Sequence, residues 1–543
     1  MNAIDRRDFL KKAMALPLLV KWDWERMPKA KGSRPEDREF DAVIIGSGLG
    51  GLSCAAAFAR QGFKTIVLEQ HSQPGGFATT FNRKGGFVFD VSLHSTNAGE
   101  REGIRNLING FPEIQDVEFA AHPNLYRVIF PNHDIRVPQR DVDGYMSILK
   151  REFPEEQEGI AGLFKDMQGL VREIGAYSSA RGQVDMARFP QEYPVLFKTF
   201  NKTWSGFLEP WIKGPKLKAA LSAQWGYYGL PPSKLAAFYY VLPYMGYLQG
   251  GGFYPKGRSR AISQAFVKFI EARGGKVACS TRVEKILVEG GAAIGIVTDK
   301  GSRITSRAVV SNTDPLGMFS KMIDDKSALA SYLERLEKLS VSLSSFQVFL
   351  GLKKDLVREA GLKDSEVFIE TGYDPEAAYA AAVEAKVEDQ GIGLTAYDNI
   401  YEGYSPQGKN TLNLLTLQGY DHWKPFEADY FKGNKAEYRK EKERMADILI
   451  EKVEKALLPG LRKAVEIKEI GTPLTNLRYT RHHRGAIYGW DQTLDNCGPR
   501  RLPHNTPIKN LYLAGAWTSP GHGYGAVIPS GLECFAEITR DWA

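Results

Sequence analysis

The sequence predicts an α/β fold: a parallel sheet put together from distant stretches of chain, with a second, α+β part inserted between them. Three observations carry that expectation. Residues 40–69 read as strand, glycine turn, small-residue helix and second strand. Residues 253–315 hold a helix and several strand-like runs, and residues 510–531 hold a short strand before a glycine-rich helix start. Buried parallel strands are short and β-branched, and the helices that connect them carry one apolar face.

The first block specifies a ligand class. Ala42-Val43-Ile44-Ile45 suits a buried strand, and Gly46-Ser47-Gly48-Leu49-Gly50-Gly51 follows it directly. The next helix keeps Leu52, Ala55, Ala56 and Ala59 on one face, and the strand Thr65-Ile66-Val67-Leu68 ends on Glu69. Strand, GxGxxG, helix, strand and acid in this register form a βαβ unit that binds a dinucleotide. Gly46 allows the tight turn, Gly48 the close approach of backbone to a diphosphate, and Gly51 the packing of helix on strand. The helix N-terminus turns unpaired N–H groups and a positive dipole end to the phosphates. Glu69 stands where a carboxylate accepts from ribose hydroxyls. Taken alone, the unit does not separate NAD from FAD.

At 543 residues the chain has room for two or three domains, or for one domain with large insertions. A net charge of +7 is small and scattered, so no nucleic-acid partner is expected. Four cysteines lie far apart without a CxxC pair, which gives no zinc spacing. Cys54 and Cys534 fall on apolar helix faces and are expected in the core. Adjacent His482 and His483 cannot present like helical ligands four residues apart, and no acidic cluster accompanies them, so no metal site is expected. The N-terminal run Asp5-Arg6-Arg7-Asp8-Phe9-Leu10-Lys11-Lys12, followed by apolar residues 13–20, resembles a twin-arginine export signal. That implies the periplasm or the outer face of the cytoplasmic membrane. The alternative is an exposed basic amphipathic helix, with the protein remaining cytoplasmic. The apolar run is shorter than the ~20 residues that span a bilayer.

Past Glu69 come Gln73-Pro74-Gly75-Gly76-Phe77 and then Gly85-Gly86-Phe87-Val88-Phe89-Asp90. The glycine pair either brings a second backbone loop against the ligand or makes an ordinary hairpin turn. The order Gly46-x-Gly48-x-x-Gly51, Glu69, Gly75-Gly76, Phe89-Asp90 resembles the FAD-dependent phytoene desaturase, carotenoid isomerase and retinol saturase superfamily. Two later blocks track it as well. One is Phe253-Tyr254-Pro255-Lys256-Gly257-Arg258-Ser259 with the strands that follow; the other runs from Leu513-Ala514-Gly515 to Gly525-Ala526-Val527-Ile528-Pro529-Ser530-Gly531. The resemblance covers about residues 41–543. It implies a Rossmann-type FAD-binding domain, glutathione-reductase-like or amine-oxidase-like, with an inserted α+β substrate domain.

It also implies cofactor contacts at Gly46, Ser47, Gly48, Leu49, Gly50, Gly51, Glu69, Gln70, Gly75 and Gly76. The strand at Val283 would meet the adenine end, Gly515 the diphosphate, and Gly525, Ala526, Val527 and Ile528 the flavin ring. Phe77 stands where many relatives carry Arg or Lys, and Gly257-Arg258 where they carry a glycine pair. Only one dinucleotide fingerprint is present, so one tightly held FAD is expected, with NAD(P) serving at most as a transient electron partner. On this division residues 1–38 are signal and linker. Residues 39–105, 250–330 and 500–543 form the FAD-binding domain, and residues 106–249 and 331–499 form a substrate-binding cap.

Within the cap, Phe189, Tyr193, Phe197, Phe200, Trp204, Phe207 and Trp211 recur at helix-compatible spacings with lysines among them. They are either packed core or a greasy surface that makes peripheral membrane contact and admits a lipid. Leu339, Val341 and Leu343, and again Leu412 and Leu414, alternate with polar residues as half-buried strands of a mostly antiparallel sheet do. A helix over 435–458 carries Met445, Ile448, Leu449, Val453 and Ala456 on one stripe, and its Lys/Glu face is solvated.

A flavin carries the difficult chemistry, so the protein needs to position the substrate and exclude water. Reduction of a conjugated alkene delivers a hydride to one carbon and a proton to the next, which a positioned acid assists. His94, in Asp90-Val91-Ser92-Leu93-His94, is the candidate, since retinol saturases resemble the chain here down to a His at this offset. Its alternative is a structural histidine. Tyr488, in Gly485-Ala486-Ile487-Tyr488-Gly489, resembles the family's loop over the flavin; its alternative is a packed tyrosine. The expected activity is FAD-dependent oxidoreduction of carbon–carbon double bonds in a lipophilic polyene or isoprenoid, retinoid- or carotenoid-like. Carotenoid desaturation, cis–trans isomerisation, amine oxidation and a non-catalytic lipid escort are the alternatives.

Overall fold

The computed structural model describes residue 24 and residues 27–30, 38–98, 104–108, 111–180, 184–185, 187–326 and 329–542. The twin-arginine stretch lies outside the described residues. Two seven-stranded sheets organise the chain. In the first, Phe40–Ile45 sits at the centre between Arg303–Ser311 and Thr65–Leu68, both parallel to it, and Lys276–Ala278 lies parallel beyond. Ala42 pairs with Ala308 on one side and Thr65 on the other. Every residue of the central strand is buried, as expected of a strand covered on both faces.

The long strand Arg303–Ser311 serves two neighbours. Its first residues pair antiparallel with Ala292–Thr298, which pairs in turn with Val283–Glu289. Its last residues pair parallel with Leu511–Leu513. The chain end thereby returns to the sheet on which it began.

Two helices cover one face of that sheet around the glycine turn. Leu49–Arg60 packs under the C-terminal helix Tyr524–Trp542, and Gly531 is where they touch. A Cβ at Gly531 would lie 2.1 Å from Ser53 Oγ and 2.2 Å from the Gly50 carbonyl oxygen, so the crossing tolerates no side chain. Cys54 and Cys534 are buried in this core. The core also takes in Ile104, Ile108, Phe111 and Ile114, packed with Phe266 and Phe269, and so runs past residue 105. Phe119–Ala121 pairs with Phe253–Pro255, and Ala486 and Trp490 fill the opposite side of the first sheet.

The second sheet runs Val465–Gly471, Ser344–Leu352, Asn410–Gln418, Ile392–Ala396, Glu366–Ile369, Tyr126–Phe130, His133–Val137. All its pairings are antiparallel except Glu366–Ile369 with Tyr126–Phe130. Helix Ala436–Ala456 lays Met445, Leu449 and Val453 against Phe346, Val348, Leu350 and Leu412. The alternation around residue 340 predicts a half-buried strand, and the structure differs in two ways. The strand begins at Ser344, and all nine of its residues are buried. Its second face is covered because Ser345, Gln347 and Phe349 look into a large cavity between the sheets rather than lying on the outer surface.

Helices Val142–Glu152, Gln157–Ser179 and Ala237–Gly250 form a third layer against this sheet. Phe189, Tyr193, Trp204 and Phe207 are core residues there, Phe200 and Trp211 are half-buried, and Phe197 is exposed. The periodic aromatic run thus builds mostly interior. Among the described residues no helix is long and apolar enough to cross a membrane.

Candidate cofactor and substrate site

A single cavity of about 1760 Å³ runs between the two sheets. One end is the glycine turn. Gly46 adopts φ +93°, a conformation open to glycine at little cost. Gly48 caps helix Leu49–Arg60 without a side-chain acceptor, and the first turn holds no acidic residue. The N-terminal N–H groups therefore face the cavity as a ready anion cradle. Asn312 fixes this turn from behind. Its side-chain oxygen accepts from the Gly48 N–H at 3.2 Å and its NH2 donates to the Ala514 carbonyl at 3.2 Å. The backbones of Gly50 and Gly515 press together beside it.

Glu69 lines the cavity at the end of the second strand. One carboxylate oxygen accepts from the Ser47 N–H at 2.9 Å and the Ser47 hydroxyl at 2.6 Å, and the other accepts from the His71 N–H at 2.8 Å. The acid is thus oriented by the glycine turn itself, and the oxygen that accepts from the His71 N–H keeps a lone-pair site for a further donor. Gln70 is held by its Nε2 donating to the Tyr479 carbonyl at 3.2 Å. Gly75 (φ +117°) and Gly76 (φ +59°) close over the turn, with the Gly75 N–H donating to the Ser47 carbonyl at 3.0 Å.

The cavity wall contains Gly46, Gly48, Leu49, Gly50, Glu69, Gln70, Gly75, Gly76, Val283, Gly525, Ala526 and Val527. Four other expected contacts stand behind it. Ser47 is buried against Glu69, and Gly51 lies under the Gly46 carbonyl, where a Cβ would come within 2.2 Å. Gly515 abuts Asn312, and the Ile528 side chain points into the helix core while its carbonyl accepts from Ser53 Oγ at 2.9 Å. Phe77 sets its ring near His482, centroids 6.0 Å apart. Arg258 turns away from the cavity to donate to the carbonyls of Val88 and Tyr404.

At the far end the wall is aromatic: Tyr227, Tyr228, Phe238, Tyr239, Tyr247 and Tyr488, with Leu242 and Ile487. Tyr488 donates its hydroxyl to the Gly226 carbonyl at 2.9 Å and lays its ring on His522, centroids 4.3 Å apart. It is a fixed wall with its only proton engaged. His94 also lines the cavity, with Nδ1 2.7 Å from Thr395 Oγ1, and burial pushes its imidazolium pKa down to about 4. Its loop is anchored by Asp90, which accepts from Tyr254 (2.6 Å), from the Ser259 N–H and hydroxyl, and from the Ser92 and Leu93 N–H groups.

Three wall or support residues escape a reading of motifs. His522 lies inside the C-terminal glycine segment, where the glycines draw the eye; burial and the Arg501 charge lower its pKa to about 3, and its Nδ1 finds no partner among the described residues. Asn312 and Asp314 follow the strand Arg303–Ser311. Asp314 caps the next helix, accepts from the His483 N–H at 3.0 Å, and is pushed up to about 6 by burial. Their signal in the sequence is the Asn312-Thr313-Asp314-Pro315 turn that ends this strand. Among the described residues no cluster of His, Cys, Asp and Glu could hold a metal ion.

An uncapped helix start behind a glycine turn, an oriented carboxylate one strand over, and a cavity reaching on to an aromatic chamber define a dinucleotide-dependent redox protein. The nucleotide class follows from the comparisons. Residues 49–534 match the family model described as flavin containing amine oxidoreductase, and the chain belongs to that family. It is therefore a flavin-containing oxidoreductase, and the family implies FAD as the flavin. Prolycopene isomerase of Daucus carota is 26% identical over 93% of this chain and 80% of that protein. All-trans-retinol 13,14-reductase of Danio rerio is 28% identical over 89% and 82%. Both are relatives of the superfamily that the motifs resemble. Solved structures share the fold: an oxidoreductase from Methanosarcina mazei (TM-score 0.61, 18% identity, 91% of this chain, 99% of that one) and cyclohexylamine oxidase from Brevibacterium oxydans (0.59, 15%, 93%, 99%). Neither comparison supports NAD(P) as an electron partner.

Proposed function

We propose that this protein is an FAD-dependent oxidoreductase acting on carbon–carbon double bonds of a lipophilic polyene or isoprenoid, retinoid- or carotenoid-like. The observation that carries the reading is the size and lining of the cavity. Drug-sized ligands occupy roughly 300–1,000 Å³, so about 1760 Å³ leaves room for a dinucleotide and a second long molecule. Beyond the glycine turn one wall is built of tyrosines and aliphatic residues (Tyr227, Tyr228, Tyr239, Leu242, Tyr247 and Tyr488), which suits an extended apolar chain, while Arg83, Lys435, Arg439 and Lys442 border the cavity elsewhere.

FAD, when bound, supplies two-electron redox chemistry. The residues at hand fit it. The Gly48 helix start, Gly50, Gly75 and Gly76 would hold the diphosphate, Glu69 the ribose hydroxyls, Val283 the adenine end, and Gly525 to Val527 the ring. Tyr227, Tyr239, Tyr247 and Tyr488 exclude water and orient the chain. His94 is the group placed to give or take a proton at the cavity wall. Burial keeps its ring neutral at physiological pH, so it acts through one N–H and one lone pair.

The deciding experiment is anaerobic. The chemically reduced holoenzyme is mixed with a panel of retinoids, carotenoids and quinones while flavin absorbance is followed. Stoichiometric reoxidation by a conjugated polyene, with loss of one double bond, supports the reading; reoxidation by quinones alone overturns it. The similarity to prolycopene isomerase favours a second reading, cis–trans isomerisation, which would change the polyene's geometry while leaving the flavin reduced.

A further inference from the structure

Behind the wall that His94 presents lies a carboxylic acid that never reaches the cavity. Glu366 and Thr395 sit opposite one another on adjacent antiparallel strands, and both are buried. Directly paired residues share a face of the sheet. Thr395 Oγ1 is 2.7 Å from His94 Nδ1 and 3.2 Å from Glu366 Oε2. The other carboxyl oxygen of Glu366 accepts from the Tyr227 hydroxyl at 3.1 Å. His94 and Tyr227 line the cavity; Glu366 and Thr395 stand one layer behind.

The row has a single hydroxyl hydrogen at its centre, and that fixes its two states. A threonine donates to one partner at a time. With Glu366 protonated, the acid donates to Thr395, Thr395 donates to His94 Nδ1, and the ring carries its proton on Nε2. With Glu366 ionised, Thr395 donates to it, His94 donates from Nδ1, and Nε2 is left as an acceptor.

We propose that Glu366 is the proton store of this site, acting through Thr395 to set whether His94 offers the cavity a proton or a lone pair. The proposal rests on the reading that a substrate in this cavity gains or loses a proton. In the donating direction, the Nε2–H proton passes to an acceptor carbon, whose electron pair forms the new C–H bond. The Thr395 hydroxyl proton moves to Nδ1, and the Glu366 acid proton moves to the Thr395 oxygen. One O–H bond at Glu366 is broken, one bond to hydrogen forms at the acceptor, and the negative charge ends on the carboxylate. His94 and Thr395 finish neutral, and no electron leaves or enters the row.

Burial supports this direction. It pushes the Glu366 carboxyl up to about 8 and His94 down to about 4, so at neutral pH the acid is protonated and the ring uncharged. A tautomer shift never requires the costly imidazolium in this interior. The groups facing the row are the phenols of Tyr227, Tyr247 and Tyr397, and His122, whose Nδ1 lies 2.8 Å from Ser365 Oγ. Asp90 acts on Tyr397 from the loop side. No Lys or Arg acts on Glu366 among the described residues.

The test uses the full-length flavoprotein without substrate, so its failure is read separately from failure of the polyene reading. Infrared difference spectra follow the protonated-carboxyl band against pH, and 15N-histidine spectra follow the His94 tautomer, assigned by its loss in His94→Asn. The expected result is a carboxyl band that is lost near pH 8 together with a switch of His94 from Nε2–H to Nδ1–H. Glu366→Gln should abolish both changes. Thr395→Val should keep the band and uncouple the tautomer, and Thr395→Ser should restore coupling. A wild-type tautomer that ignores the band, or one that still switches in Glu366→Gln, overturns the proposal whether or not Thr395→Val folds.

Discussion

Gly50→Ala separates two physical effects of opposite sign. Gly50 lies in helix Leu49–Arg60, where alanine is preferred to glycine by roughly 0.5–1 kcal/mol. Helix propensity alone therefore predicts a more stable protein. The surroundings predict the reverse. The added Cβ would lie 2.7 Å from Gly515 Cα, 2.9 Å from Gly515 N and 2.9 Å from the end of the Asn312 side-chain amide. Two of these are backbone atoms of a strand end pinned to the sheet, so relief requires the glycine turn and the Gly515 segment to separate. Overpacking of this kind costs about 1–3 kcal/mol, and the net loss should be about 1–2 kcal/mol. The same separation opens the cradle, and each 1.4 kcal/mol of lost contact weakens FAD about tenfold. The assay is the flavin-to-protein absorbance ratio after gel filtration, with FAD titration into deflavinated protein and denaturant midpoints. Gly372→Ala is the control, since a Cβ there meets nothing within 4 Å. A Gly50→Ala protein with wild-type flavin content and an equal or higher midpoint would refute the reasoning.

Gly48→Val should abolish flavin retention, because its Cβ alone comes within 2.6 Å of the Asn312 amide and the branch beyond it enters the phosphate path; full flavin content would exclude the assignment. His94→Ala should slow alkene reduction by 10²-fold or more, the usual range for a lost acid–base group being about 10²–10⁴, with flavin content unchanged. An unaltered single-turnover rate would remove His94 from the chemistry. Asp90→Asn replaces an acceptor of five donors by a group that is itself half donor, and should cost about 2–4 kcal/mol by urea unfolding; a loss under 0.5 kcal/mol would contradict the network. Glu366→Gln should change the pH dependence of stability. The folded-state pKa is raised from 4.5 to about 8, so the folded protein binds the extra proton and stability falls as pH rises through this window, by about 5 kcal/mol in all. His94, lowered from 6.5, contributes only below that pH, so the comparison belongs between about pH 6.5 and 8.5. There the wild type should lose stability relative to the variant, and parallel profiles would sink the assignment.

How legible each part was follows from how far apart its residues lie along the chain. The glycine turn, its helix and Glu69 span 24 residues, so spacing alone encodes their geometry, and the structure places Gly46, Gly48, Leu49, Gly50 and Glu69 at the cavity wall. The second sheet was legible in kind but not in burial. Ser344–Leu352 alternates as a strand with one wet face would, yet its polar face borders a cavity between the sheets, and a single sequence does not distinguish a cavity wall from the outer surface. The aromatic run around Trp204 suffers the converse ambiguity. Helical spacing says that one stripe is apolar, and only tertiary contact shows that Phe189, Tyr193, Trp204 and Phe207 point inward while Phe197 does not.

The residues of the proposed proton row were the least legible for a related reason. His94 and Thr395 are separated by 301 positions, and Glu366 reaches them only because its strand pairs with Ile392–Ala396 in one particular register. A slip of one residue would turn Glu366 to the opposite face of the sheet and leave His94 facing Thr395 without an acid behind it. The register is held by Val367 and Leu394, buried partners one position along, whose side chains face the apolar core under helix Ala436–Ala456. The placement of the acid is therefore a consequence of core packing on the far side of the sheet. A volume change at Val367 or Leu394 that let the strand slip would alter the His94 tautomer from a distance, with every cavity-lining residue still in place.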